Sequence, residues 1–200
     1  MSKAREVVLQ TVSQDGRRQR SERSRKAIIA AAIALIDDGV VVPTAQQVTE
    51  RAGLGTRSFF QHFEDMEVLY IAIDEEIRPL YMGFFIARDR GGTLDERIFH
   101  ALECYADVYD KFKSVFLSTA AQRWRSEHLR GNYSHANQYL RTALDELIPE
   151  LKLLSAAKRD AVDAMASFEL WNRLREHQNL SKQASLKLVV GQLQRLLVGE

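Results

Sequence analysis

Between Ala27 and Phe63 the apolar residues recur on a helical period in three successive runs, and glycine or proline punctuates each one. Ala27, Ile28, Ala31, Ala32, Leu35 and Ile36 fall at i, i+1, i+4, i+5, i+8 and i+9, which is one stripe of a helix. That helix is predicted to start near Ser21 or Ser24, either of which can cap it, and to stop at Gly39. Val40, Val41 and Val42 form a short extended link, and Pro43 suits the entrance to the next helix. A second helix is predicted from Thr44 to Ala52 with Gly53 as its left-handed stop, and a third from about Gly55 to His62. Three short helices with a glycine in the tight turn between the last two have the layout of a helix-turn-helix unit.

The remainder of the chain points to an all-α fold. Only 3 Pro and 10 Gly occur in 200 residues, a balance that favours helix over a turn-rich β fold. Asp65 can cap a fourth helix with Leu69, Ala72, Ile73, Ile77 and Leu80 on its apolar face, and Pro79 should kink or break it. Arg88 to Gly92 reads as a loop. Thr93 followed by Glu96 opens the next helix as a capping box. Further helices are expected at 93–109, 111–124, 127–148, 155–178 and 181–198. The domain organisation expected is a flexible basic arm over 1–20, a helix-turn-helix head over 21–64 and a helical body over 65–200.

Charge divides along the same lines. Residues 1–63 carry ten Lys and Arg against six Asp and Glu, while 64–200 carry eighteen against twenty-one. A basic front on a mildly acidic body suits a polyanion partner. The single cysteine, Cys104, cannot form an internal disulfide, which suits a reducing cytoplasm, and it reads as a small buried hydrophobe. No signal peptide or membrane span is evident, so a cytoplasmic protein with no membrane partner is expected. Enzyme chemistry finds no foothold: there is no Gly-rich phosphate loop, no nucleophile elbow and no dense Cys/His cluster. His128 and His135 lie seven apart without carboxylates or thiols in register. No catalytic residue, metal or cofactor is expected.

Helical geometry divides the third helix into two sides. At 100° per residue from Thr56, Arg57, Phe60 and Gln61 fall between about 40° and 140°, while Phe59 and Phe63 fall near 300–340°. One side can bury two rings; the other offers groups that hydrogen-bond base edges and phosphates, and such a helix fits a major groove. Arg57 is the expected base reader, most naturally of guanine, with Gln46 and Gln61 as second readers. Thr44, Thr56 and Ser58 are expected phosphate contacts.

The stretch from Thr44 to Phe63 resembles the DNA-binding region of the TetR family of regulators. Its most diagnostic parts are Glu50-Arg51-Ala52-Gly53-Leu54 and Phe59-Phe60-Gln61-His62-Phe63, with Glu67 and Leu69 matching the start of the family's fourth helix. The specific resemblance covers about residues 24–70. It places Phe60 where a tyrosine usually touches DNA and His62 where a histidine meets phosphate. Two departures stand out. Phe60 lacks the hydroxyl, and Met66 replaces a common lysine. Arg17, Arg18, Arg20 and Arg23 are candidates to compensate through backbone or minor-groove contacts.

For the body, the resemblance implies an effector pocket among central helices, with Phe99, Tyr105, Tyr109, Phe116, Trp124, His128 and Trp171 as candidate liners in a mostly apolar wall. A dimer seam is expected from the apolar stripes Phe168, Trp171, Leu174 and Leu186, Val189, Val190, Leu193, Leu196, Leu197, two helices from each chain forming a four-helix bundle. The function so implied is a repressor that binds palindromic double-stranded operator DNA as a homodimer and is released by a small-molecule effector. The residues alone also admit a helical protein-interaction module without sequence-specific DNA binding.

Overall fold

The computed structural model describes residues 3–86 and 91–198, with side chains from 16 to 84 and from 91 to 197. Among these residues every regular element is helical, as expected. The chain divides into two compact units, Met1–Glu75 and Glu76–Glu200, called here the head and the body. The head therefore extends past the expected boundary at residue 64 and takes in the first half of the fourth helix.

The head holds α1 (Lys3–Asp37), α2 (Ala45–Arg51), α3 (Thr56–Phe60) and the beginning of α4 (Met66–Ile86). Its turns follow from local chemistry. Gly39 has φ 92° and Gly53 φ 67°, left-handed values that cost a residue with a Cβ. Each ends its helix with a paired motif: Gly39 N and Val40 N donate to the carbonyls of Ile36 and Leu35, and Gly53 N and Leu54 N to those of Glu50 and Thr49. Thr44 caps α2, its hydroxyl accepting from Gln47 N at 3.3 Å while Gln47 Oε1 accepts from Thr44 N at 2.9 Å. Asp65 Oδ1 accepts from Val68 N at 2.9 Å and so opens α4.

The beginning of α1 departs from expectation. The backbone is helical from Lys3, so the helix does not start at Ser21 or Ser24, and residues 3–20 are not irregular chain. Arg, Gln and Glu through this stretch are good helix formers. Ser24 has no free helix end to cap, and its hydroxyl donates back to the Arg20 carbonyl at 3.1 Å.

Ile28, Ile29, Ala32 and Ile36 of α1 are buried, as are Val48, Phe59, Phe63, Leu69 and Ile73, and α1 packs against α2 and α3. The phenolic oxygen of Tyr70 ties α4 to the link before α2, donating to the Pro43 carbonyl at 3.4 Å. Pro79 lies inside α4 without ending it, so of the kink or break expected there the break does not occur. It has no N–H to offer the Glu75 carbonyl four residues back, and the head gives way to the body at that residue.

The body holds the rest of α4, then α5 (Leu94–Lys111), α6 (Lys113–Gln122), α7 (Glu127–Leu147), α8 (Ala156–Met165), α9 (Phe168–Asn172) and α10 (Lys182–Val198). A 3-10 turn covers Pro149–Leu153, and a π-helical turn, Arg173–His177, extends α9. Of the expected loop at Arg88–Gly92, residues 88–90 lie outside the described residues. The single helix expected over 155–178 is broken at Ser167. Its hydroxyl donates to the Ala164 carbonyl at 2.7 Å and accepts from Leu170 N at 3.3 Å, ending α8 and capping α9.

Thr93 and Glu96 form the expected capping box on α5. Hydrogen bonds from Thr93 hold the Glu96 carboxyl below its ordinary range. Thr93→Ala should lower the melting temperature by about 2–4 °C, whereas Thr93→Ser should restore most of it. A thermal scan of the three proteins checks this.

The apolar residues expected at a dimer seam are covered largely by side chains of their own chain. Phe168, Trp171, Leu174, Leu186, Val190 and Leu193 are buried within one chain, and Leu197 is half-buried. The stripe on α10 packs mainly against α5, whose Ile98, Leu102, Tyr105 and Tyr109 are buried in turn. Periodicity shows which side of a helix is apolar; it does not show whether the covering side belongs to the same chain.

Candidate functional site

In the head, α3 presents the two sides that helical geometry predicts. Phe59 and Phe63 are buried, their ring centroids 5.6 Å apart, and the Arg25 guanidinium lies 5.3 Å from the Phe63 ring centroid. Thr56, Arg57 and Gln61 are exposed, Ser58 and His62 half-buried, and Phe60 is 60 % exposed. Two residues of the candidate set are already engaged on α2. Thr44 is held by its capping box, and Gln46 Nε2 donates to Glu50 Oε1 at 2.8 Å. Arg51, in the motif but not among the expected contacts, is bridged to Asp38 at 2.6 Å.

The short link Gly53–Gly55 sets α3 beside α2. Gly55 stands at the N-cap with extended backbone, and its carbonyl accepts from Ser58 N at 2.8 Å. The result is an exposed guanidinium and amide on a helix whose opposite side is anchored by aromatic rings. No family model and no curated protein matches this chain. A solved structure does. A crystal structure from Rhodococcus sp., assigned to the TetR family of transcriptional regulators, aligns with TM-score 0.65 over 88 % of this chain and 99 % of that one, at 17 % identity.

The fold is TetR-like.

The body of this TetR-like chain contains a cavity of about 600 Å³ between α5, α7, α8 and α9. Of the expected effector liners, Tyr105, Tyr109 and Trp124 stand on its wall. Phe116 stacks on Phe168 at 4.9 Å, behind the wall. Trp171 is buried, with Nε1 donating to Asp110 Oδ1 at 2.7 Å. Phe99 is an exposed side chain over a separate groove beside α10, and His128 is exposed and stands off the cavity.

What sequence reasoning missed is the polar wall. Arg130, Tyr133, Asn137, Leu140, Arg141 and Leu144 of α7 all face the cavity. They recur at helical spacing, so a search for a polar stripe as well as an aromatic one would have found them. Opposite them α8 and α9 run antiparallel. Arg141 Nη1 donates to Asp160 Oδ1 at 2.9 Å and lies 3.5 Å from Asp163 Oδ2. Towards the other end the Tyr133 hydroxyl donates to Glu169 Oε1, which also pairs with Arg123 at 3.1 Å. The Arg123 guanidinium lies 4.3 Å from the Tyr133 ring centroid and 5.3 Å from that of Trp124.

The hydroxyls of the two central tyrosines are engaged by backbone carbonyls. Tyr105 donates to the Leu140 carbonyl at 2.5 Å and Tyr109 to that of Ala166 at 2.8 Å. Burial pushes both phenols well above their ordinary range. Tyr133 is pushed up to about 12 by burial and by Glu169. All three therefore stay neutral at physiological pH. The cavity thus has an aromatic middle and charged ends. Among the described residues no group of three or more His, Cys, Asp and Glu could hold a metal ion, and no helix is long and apolar enough to cross a membrane.

Proposed function

We propose that the chain is a cytoplasmic transcriptional repressor that binds palindromic double-stranded operator DNA as a homodimer and is released when a small molecule fills the body cavity. The observation that carries this reading is the two-sidedness of α3: Arg57, Phe60 and Gln61 are exposed while Phe59 and Phe63 are buried behind them. Arg57 reads a base, supported by Gln61 and Gln46. Thr44, Thr56, Ser58 and His62 contact phosphates, and Phe60 lies against a thymine methyl or a sugar. The twofold axis spaces two such helices by about 34–36 Å, one turn of DNA. The Rhodococcus regulator of like fold supports the DNA-binding reading by analogy. Coupling between cavity and operator runs through α4, which belongs to both units.

The test is a selection of duplexes from a random library at low salt, followed by affinity measurement at fixed ionic strength. Arg57→Ala should weaken the selected duplex by about five- to 150-fold and relax preference at one base pair per half-site. Wild-type affinity should also fall steeply with salt. A chain that retains no duplex at low salt would instead be an interaction module of the helical class.

A further inference from the structure

The cavity of the body carries opposite charge at its two ends. At the end near the start of α7, Glu169 is already matched by Arg123. Arg130 stands there too, and among the described residues no ion pair engages its guanidinium. That end is left with one surplus positive charge. At the other end Asp160 and Asp163 share Arg141, and Arg159 is committed to Asp145 at 2.7 Å, with Asp163 only 3.8 Å from its far nitrogen. Three carboxylates face two guanidiniums, and that end is left with one surplus negative charge. On the α7 wall Tyr133 and Asn137 lie between Arg130 and Arg141, Leu140 stands beside Arg141 and Leu144 one turn beyond it, and the rings of Tyr105 and Tyr109, whose hydroxyls are occupied by backbone carbonyls, line the same cavity.

We propose that the cavity takes a zwitterionic ligand whose anionic group meets Arg130, whose cationic group meets Asp160 and Asp163, and whose middle lies against aromatic rings. The inference rests on reading this cavity as the effector site. Its span follows from α7: Arg130 and Arg141 are eleven residues apart, about 16 Å along the helix axis. A chain of four or five extended residues covers that distance, and the volume of about 600 Å³ suits a ligand of that size. Arg130 and Asp160 are exposed and solvated, so an apolar ligand that covered them would strip their water and offer no hydrogen bond in its place, which is costly. A zwitterion of the right length gives each end a charge-assisted hydrogen bond.

The test uses peptides of alanine and phenylalanine, three to six residues long, with both ends free, amidated, acetylated, or blocked at both ends. Binding is measured by calorimetry on the full chain. The free-ended peptide of four or five residues should bind tightest, and blocking either end should weaken it at least tenfold. Arg130→Gln should abolish the penalty for amidation, and Asp160→Asn the penalty for acetylation; both side chains are exposed, so both variants should fold. If no free-ended length binds more tightly than its doubly blocked counterpart, the zwitterion assignment is wrong. If the free-ended peptide binds with the predicted end effects but leaves operator affinity unchanged, the zwitterion site stands and the sensor reading fails.

Discussion

Phe59→Ala is expected to destabilise the head by about 3–5 kcal/mol and to abolish operator retention at 37 °C. The ring is buried and lies 5.6 Å from that of Phe63 and 5.3 Å from that of Phe60. Alanine removes most of that contact area and leaves a void that α1, α2 and α4 must collapse into. Folded domains hold only about 5–15 kcal/mol in reserve, so the loss is a large part of what keeps a small unit folded. Urea denaturation read by circular dichroism, together with hydrogen exchange at the Ile28 and Val48 amides, measures it. Phe60→Ala is the matched control. Its ring is 60 % exposed, so stability should move by no more than about 0.5 kcal/mol while DNA affinity falls. Equal urea midpoints for Phe59→Ala and wild type would refute the anchoring role of that ring.

The second large effect belongs to the body. Arg159 is only 5 % exposed, yet it carries a full charge on α8. Its Nε donates to Asp145 Oδ1 at 2.7 Å and its Nη2 to the Arg141 carbonyl at 3.0 Å, joining α8 to α7 just behind the cavity wall. Arg159→Ala leaves Asp145 and a backbone carbonyl without their donors, and should cost about 3–5 kcal/mol. Replacing Asp145 as well should recover much of the loss, because a matched apolar pair avoids the desolvation that the ion pair has to offset. The double variant Arg159→Met with Asp145→Leu is therefore expected to be more stable than Arg159→Ala alone. A double-mutant cycle on urea midpoints checks this. Strict additivity of the two single changes would show that the pair is not a structural tie.

The head was more legible in the sequence than the body, and the reason lies in the range of the interactions. Gly39 and Gly53 terminate helices through bonds to residues three and five positions back. Thr44 and Thr93 cap helices through residues three positions on. Asp65 acts within the same distance. Such signals can be read from neighbouring letters. The same local chemistry misled where two outcomes compete. Ser24 had the makings of a cap, but a helix already running past it turned its hydroxyl back to Arg20. Ser167 looked like one more position in a long helix and became the break between two.

The candidate site shows the same division. The two sides of α3 follow from 100° per residue, and Arg57 and Phe59 stand where that arithmetic puts them. The cavity was anticipated as an apolar pocket lined by aromatic residues scattered through the body. Three of the seven expected side chains face it. Its charged ends were missed because Arg123 meets Glu169 across 46 residues of chain and Arg141 meets Asp160 across 19.

By itself the sequence determined where helices turn, which residues cap them and which side of each is apolar, since these depend on steric preference and hydrogen bonds within a few residues. Tertiary structure decided what covers each apolar side. Leu186, Val190 and Leu193 suit a partner chain as well as their own α5, and only packing in three dimensions assigned them inward. It also decided which charges share a cavity, because Coulombic attraction acts through space and takes no account of separation along the chain.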